Sequence, residues 1–423
     1  MASKYAPAQD PSGRLTVNLN TRGRLPMSRG GCHTRINDVV FSPDDGVVLV
    51  VGDGDDQRPL ALNKARQRVY AFNLKQTQDL RTKDDIPAPI GTYFTENFHV
   101  RGKGGLAVGP SEHVHIKGHV LSKPRDEVHY RVAMCHDSTY WGNDYSCQLP
   151  RASINTGDGG TYVGPINIEL IMLSTGSRPF RKTFTRSNPI VSPIAFSPDG
   201  TRIAGVSGQE PSEIIVLEAE LLQHSGIEAC IHGHLAPISL LQYMPDGNLI
   251  SLAMDGVGRL CTSQQSEAGA PGALIKQFHV DTRYPPSLLK VSPDGELIVS
   301  VWGRQVALWY PTANILTTYN LDERRLIELW PLAISPDCRL MVCRTERGFD
   351  VIDVLTGNSC RHATWDRNGL NAATAAAFSN DGTLLATGLR SGAVIFHDVV
   401  VDIDDTPGPF TDEPPPAYTK VDD

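Results

Sequence analysis

Ser197-Pro198-Asp199-Gly200 is one of six versions of the same short turn in this chain. Ser42-Pro43-Asp44-Asp45-Gly46 precedes it. Met244-Pro245-Asp246-Gly247, Ser292-Pro293-Asp294-Gly295, Ser335-Pro336-Asp337-Cys338 and Ser379-Asn380-Asp381-Gly382 follow it. Each lies between two apolar runs, the position of a hairpin joining two buried strands. Proline presets φ for the first turn position, aspartate bonds its own backbone, and glycine takes a positive φ without strain. The apolar residues just before the turns, Phe196, Tyr243, Val291, Ile334 and Phe378, are spaced by 47, 48, 43 and 44 residues. A repeat of roughly 40–45 residues with four strands per unit is the spacing of propeller blades. The expected fold is therefore all-β: a β-propeller of four-stranded antiparallel sheets, with seven blades, or eight as the alternative.

Size and composition agree with one ring. The chain has 423 residues, and blades that lean on their neighbours hold such a length in a single body. Hydrophobic residues make up 40% of it, enough for a sizeable core, and the net charge is −8, which favours neither nucleic acid nor an anionic membrane. Charge is uneven along the chain. Residues 1–35 form a basic arm with six Lys or Arg against one Asp, while 398–423 carry eight Asp or Glu against one Lys. The eight cysteines show no C-x-x-C pair and no framework spacing, as expected of reduced thiols in a cytoplasmic or nuclear protein. Residues 1–13 hold no apolar signal segment, and no run approaches the roughly 18 apolar residues of a membrane span.

The clearest unit runs from Gly233-His234 to Thr262, with strands over Pro237–Tyr243, Leu249–Ala253 and Gly258–Thr262. His234, Ser251 and Asp255 resemble three members of the buried hydrogen-bonded tetrad of WD40 repeats, and Cys261 stands where that family has tryptophan. The resemblance implies that they tie an outer loop to the inner hairpin, since buried polar groups need partners. Other units are similar to the broader WD40 and YVTN-like propellers in fewer positions: Trp309, Asp353, Thr387 and Asp398 match, while Ile352 and Phe396 replace tryptophan. The resemblance covers residues 190–400 well and 36–75 acceptably, so the propeller is expected over 36–400. Residues 88–185 are irregular, too long for one plain blade and short of two, and read as one blade with a long insertion. Two segments compete to complete the last blade: the alternating stretch 14–19 from the N-terminus, which is favoured, and 399–403.

Chemistry is harder to find. Six of the thirteen histidines fall in 99–136, and His113-x-His115 puts two imidazoles on one strand face, but no cysteine or carboxylate sits at a recurring ligand spacing. No metal site and no cofactor is expected. Asp53–Asp56 and Gly157–Gly160 read as solvated turns, because neither continues to the glutamate of a calcium loop. The chain contains no G-x-S-x-G, P-loop or H-E-x-x-H, so no catalytic residue is assigned.

The sharpest functional signal lies in the acidic, proline-rich tail 401–423, whose composition predicts disorder. Pro415, Pro416 and Tyr418 match the P-P-x-Y ligand of WW domains. Prolines hold polyproline II at low entropic cost and dock in an aromatic groove, and the tyrosine fills the adjoining pocket. Such motifs resemble those that recruit HECT-type ubiquitin ligases. The expected function is a non-enzymatic intracellular scaffold for protein–protein interaction, with a WW-domain protein on its tail and a second protein on the propeller face. The alternative is a propeller enzyme, or a small-molecule or metal binder, with its site at the channel mouth or in 88–185. Nucleic-acid binding through Arg22, Arg24, Arg29 and Arg35 is disfavoured by the acidic total.

Overall fold

The computed structural model describes residues 14–26, 35–53, 67–74, 91–95, 99–100, 106–110, 114–116, 119–121, 129–137, 153–156, 160–163, 167–174, 180–187, 190–207, 210–218, 227–263, 270–321, 330–345, 348–364, 372–404 and 418–420. The strands between Gly91 and Ser187 are described through their backbone pairing.

Five blades are antiparallel meanders in chain order. Blade A comprises Ile36–Phe41, Val47–Asp53, Gln67–Asn73 and Gly91–Thr95; blade B comprises Ile190–Phe196, Arg202–Ser207, Ile214–Glu218 and Ile227–Ile231. Blade C is Ile238–Tyr243, Leu249–Ala253, Val257–Cys261 and Leu274–His279. Blade D is Pro286–Val291, Ile298–Trp302, Gln305–Tyr310 and Ile315–Asn320; blade E is Trp330–Ile334, Leu340–Thr345, Gly348–Asp353 and Ser359–Thr364. Blade F takes Ala373–Phe378, Leu384–Leu389 and Ala393–Asp404, and its fourth strand is Arg14–Pro26 from the other end of the chain. The inner strands touch in the order A–F–E–D–C–B.

Among the described residues there are thus six regular blades, where seven or eight were expected. The stretch read as a blade with an insertion forms a sheet of different build. Phe180–Ser187, Asn167–Ser174 and His129–Asp137 pair in turn, and both Leu106–Pro110 and His99–Val100 lie along His129–Asp137. Two further hairpins, Val114–Ile116 with His119–Leu121 and Ser153–Thr156 with Gly160–Val163, interrupt its chain order. Leu106–Pro110 touches the inner strands of both B and A. Long segments between its pairing strands rule out a plain meander.

The recurring turn is built as its residues dictate, with one addition. In five copies the serine hydroxyl donates to the aspartate two residues on, as in Ser42 to Asp44 at 2.8 Å, Ser292 to Asp294 at 2.6 Å and Ser379 to Asp381 at 2.6 Å. The same serine oxygen accepts the N–H five residues on, from Val47, Arg202, Leu297, Leu340 and Leu384. Serine therefore joins both arms of the hairpin, and it is buried in all five. Gly200, Gly247, Gly295 and Gly382 take φ between 70° and 86°, but Cys338 adopts 60° and Asp45, not Gly46, adopts 55°. Left-handed backbone at a non-glycine residue is uncommon and calls for a reason.

For Asp45 the reason is the meeting of blades A and F. Its carboxylate accepts the Asn380 N–H at 2.7 Å, the Asn380 Nδ2 at 2.9 Å and the Asp381 N–H at 3.0 Å, and Asn380 Nδ2 also donates to the Ser42 carbonyl at 2.8 Å. The two turns that depart most from the repeat are thus each other's partners. Asp45 is the extra residue of one, and Asn380 replaces the proline of the other, which has no N–H to give. Higher up, Thr374 Oγ1 donates to the Ile36 carbonyl at 2.6 Å, and a Cβ added to Gly388 would stand 2.4 Å from Ile36 Cγ2. Glycine lets the two sheets close around Ile36, Val39, Val50, Phe72, Ala386 and Phe396. Comparable apolar layers fill the spaces B–C, C–D, D–E and E–F.

Arg14–Pro26 runs antiparallel to Ala393–Asp404, from Arg14 opposite Asp404 to Pro26 opposite Ala393, with an irregularity between Thr21 and Gly23. Leu15 faces Ile403 and Leu19 faces Val399, so the two segments that competed for the edge of the last blade are partners. Arg22 reaches Asp398 at 2.6 Å, and Val17 is buried between blades E and F.

Asn380→Pro removes two donors to Asp45 and one to Ser42 and should cost about 1–3 kcal/mol, the range for lost charge-assisted bonds near a surface. Pro43→Asn, the reverse exchange in the partner turn, makes no such contact and should cost less. Urea denaturation of both variants checks the order.

Candidate interaction surface

An antiparallel meander puts alternate connections at opposite ends of a blade. All six repeated turns therefore share one end of the ring. The loops entering each inner strand and the turns between second and third strands share the other. These two ends differ in chemistry.

The repeated-turn end is acidic, but its carboxylates are occupied. Asp44, Asp199, Asp246, Asp294, Asp337 and Asp381 each accept the N–H two residues on. The hydroxyl of Ser292, then the N–H of Glu296, holds the Asp294 carboxyl below its usual value. At Asp199 and Asp381 burial works the other way and is outweighed by such bonds. Lys290 is half-buried on the inner strand of blade D; its carbonyl accepts the Cys338 thiol at 3.8 Å, while its ammonium has no hydrogen-bond or ion-pair partner among the described residues. Burial lowers its pKa against the attraction of Cys338 and of Asp45 on blade A. Burial pushes the neighbouring Cys338 thiol up to about 12, although the Lys290 ammonium pulls it down.

The opposite end carries large exposed apolar groups on three successive blades. Leu235, three residues before the inner strand of blade C, is 97% exposed; Tyr284, just before that of blade D, is 61% exposed; Trp330, which opens that of blade E, is 65% exposed. Tyr284 is held in place. Its N–H donates to Thr282 Oγ1 at 3.1 Å, and its ring lies over Gly303, where an added Cβ would stand 2.7 Å from Tyr284 Cγ. Gly303 has φ 64°, so glycine there both forms the turn and leaves room for the ring. Arg283, Arg304 and Arg390 are exposed at this end, with Asp255 and Asp281 among them. Aromatic rings with arginine neighbours are the usual anchors of protein interfaces.

Beneath this surface lie the polar groups singled out in the sequence. His234 Nε2 meets Ser251 Oγ at 2.7 Å, and Ser251 Oγ lies 3.4 Å from the Arg259 carbonyl. Protons are available for both contacts if Nε2–H donates to Ser251 and the serine hydroxyl donates onward. His234 Nδ1 is then an acceptor, buried and without a partner. Asp255 does not fill that place: it is exposed, and its carboxylate accepts the Val257 N–H at 3.1 Å. The Arg259 guanidinium instead lies against Gly233 and bonds Gln277 Oε1 at 3.3 Å. Cys261 is buried and free.

Two related arrangements were not read from the sequence. In blade F, Thr387 Oγ1 meets His397 Nε2 at 3.3 Å and the Ile395 carbonyl at 3.3 Å, matching the Ser251 geometry with a histidine from a different strand. In blade D, Ser300 accepts Trp302 Nε1–H at 2.9 Å, while Trp309, at the position matching the tetrad tryptophan, packs on Phe278 with its Nε1 unpaired. A hydroxyl at one place on the second strand of three blades thus serves a ring nitrogen, whichever residue supplies the ring.

Pro415 and Pro416 lie outside the described residues, as does His113. The last blade's third strand continues to Asp404, past the expected start of a disordered tail, and Tyr418–Lys420 is a strand on the outer edge of blade D. Among the described residues no group of His, Cys, Asp or Glu is placed to hold a metal, and no helix is long and apolar enough to cross a membrane. No protein-family model matches the chain, and no curated protein matches it either.

Burial lowers the pKa of both His234 and His397 to about 4, with Arg259 adding to the effect at His234. Unfolded histidine titrates near 6.5, so the unfolded chain binds more protons between these values, and stability falls as pH drops from about 6.5 to 4. Each full protonation is worth on the order of 3 kcal/mol. The slope of unfolding free energy against pH in that window should flatten in His234→Gln and again in His234→Gln/His397→Gln. Loss from the lowered aspartates sets in from about pH 5 downward and is common to all the variants, so it leaves the comparison intact. An unchanged slope would show that these imidazoles are solvated.

Proposed function

We propose that this protein is a non-enzymatic, WD40-like propeller scaffold. It holds one protein partner on the ring end that carries Leu235, Tyr284 and Trp330. A WW-domain protein, such as a HECT-type ubiquitin ligase, is held through Pro415, Pro416 and Tyr418. The observation that carries the ring part is the exposure of three large apolar groups on successive blades at one end, with Tyr284 pre-positioned over Gly303. Rigid, amphipathic anchors lose little entropy on binding. The tail part rests on its motif and on the physical fit of a proline-held segment to an aromatic groove. An intracellular setting accords with cysteines that form no disulfide among the described residues, such as Cys230, Cys261 and Cys338. A small-molecule binder at the channel mouth is the second reading. Lys290 favours it, as an ammonium with no ion-pair partner among the described residues.

The two surfaces separate by mutation. In capture experiments from lysate, Tyr284→Ala/Trp330→Ala should lose the proteins held by the ring and keep the WW-domain protein, and Tyr418→Ala should do the reverse. Tyr284→Ala/Trp330→Ala should not move the melting temperature by more than about 2 °C, as expected of exposed positions. Capture of the same set by all three proteins contradicts the proposal. A ligand that protects Lys290 from amine-directed labelling would favour the second reading.

A further inference from the structure

We propose that the outer edge of blade D is a strand-addition site which the chain's own tail occupies, and that this docking closes the WW motif. The inference rests on the tail reading given above. Tyr418–Lys420 pairs antiparallel with the outermost strand of blade D: Lys420 lies opposite Ile315, Thr419 opposite Leu316, and Tyr418 opposite Thr317. Among the described residues, blade D is the one regular blade with a fifth strand.

The edge itself explains the choice. Proteins guard exposed sheet edges with charge, bulges or cover. The outer strands of the other blades carry charged residues or histidine: Glu228 in B, Lys276 and His279 in C, Arg361 and His362 in E, and Arg14, Arg22 and Arg24 in F. Gly91–Thr95 of blade A carries none, and it lies beside Phe180–Ser187. Ile315-Leu316-Thr317-Thr318-Tyr319-Asn320 also carries none and is rich in residues that favour strands. It is a fixed template, because the Tyr319 hydroxyl donates to the Val354 carbonyl of blade E at 2.5 Å over Gly357. The tail reaches it easily. From Asp404 on blade F to Tyr418 the chain can span up to about 50 Å, and only blade E lies between.

Tyr418 is thereby asked to do two things. A WW domain closes around the Pro-Pro-x-Tyr segment and needs Tyr418 free of other backbone partners and the space beside it open. Blade D supplies such a backbone partner, with Thr317 opposite Tyr418. The two states exclude each other, so apparent WW affinity falls by the fraction of tail that is undocked. An edge docked nine-tenths of the time weakens binding about tenfold.

The test titrates one isolated WW domain against the full chain, a synthetic peptide of residues 408–423, and both again with Thr419→Pro, which puts a strand-breaking residue into the docked segment and leaves Pro415, Pro416 and Tyr418 in place. The peptide should bind about tenfold more tightly than the full chain, and Thr419→Pro should raise the full chain to the level of the peptide variant. Equal binding by full chain and peptide overturns the proposal. A peptide that fails to bind removes the WW reading and the closure with it. Hydrogen exchange then judges the docking alone: slower exchange at 418–420 in the full chain than in the peptide supports the edge site, and equal rates overturn it.

Discussion

The backbone ladder between Arg14–Pro26 and Ala393–Asp404 is the constraint on which the ring depends. Among the described residues the five large apolar layers each lie between two blades, so a blade buries its faces only against its neighbours. A ring built this way must join its ends. Here the first strand of the chain completes the sheet formed by the last blade, and that sheet packs on blade A through Ile36, Phe72, Ala386 and Phe396. Asp45 and Asn380 then join the two turns at the foot of the same contact. The chain itself runs from Arg14–Pro26 of that sheet to Ile36 of blade A, so the joint that no peptide bond makes is the ladder to Ala393–Asp404.

Closure also sets what the two ends of the ring can offer. At the repeated-turn end, serine and aspartate are committed to holding hairpins, and their charge is largely spent on backbone N–H groups. At the other end the loops are relieved of that work. Leu235, Tyr284 and Trp330 stand on that end above buried ring-nitrogen contacts at Ser251 and Ser300. A rigid base under exposed anchors is what a docking surface requires, because the partner then pays little to order it.

Much of this was legible in the sequence, for reasons that can be named. The Ser-Pro-Asp-Gly turns announced hairpins because proline, aspartate and glycine each have one local role that does not depend on the rest of the fold. The serine was overlooked, although its hydroxyl bonds both arms, since that role appears only once the two strands are paired. The blade count was misjudged because 88–185 has strands whose partners are far apart in sequence, and local pattern does not report such pairing. His234 and Ser251, which meet at 2.7 Å, are marked in the sequence only by their resemblance to a WD40 tetrad. The His397–Thr387 contact carries no such mark, since its histidine comes from the third strand instead of the entry loop. Asp255 was assigned to the network on position alone, and a carboxylate that can cap its own turn has a nearer partner in Val257. The pairing of Tyr418–Lys420 with blade D was invisible, because a three-residue strand leaves no periodic trace.

The most direct test of closure is to remove residues 1–26 and follow thermal unfolding by circular dichroism beside the intact chain. If the N-terminal strand holds the ring, the shortened protein loses its cooperative transition or melts more than about 10 °C lower, since every blade depends on its neighbours. A transition of unchanged midpoint and sharpness would contradict the account and place the closure of the ring elsewhere.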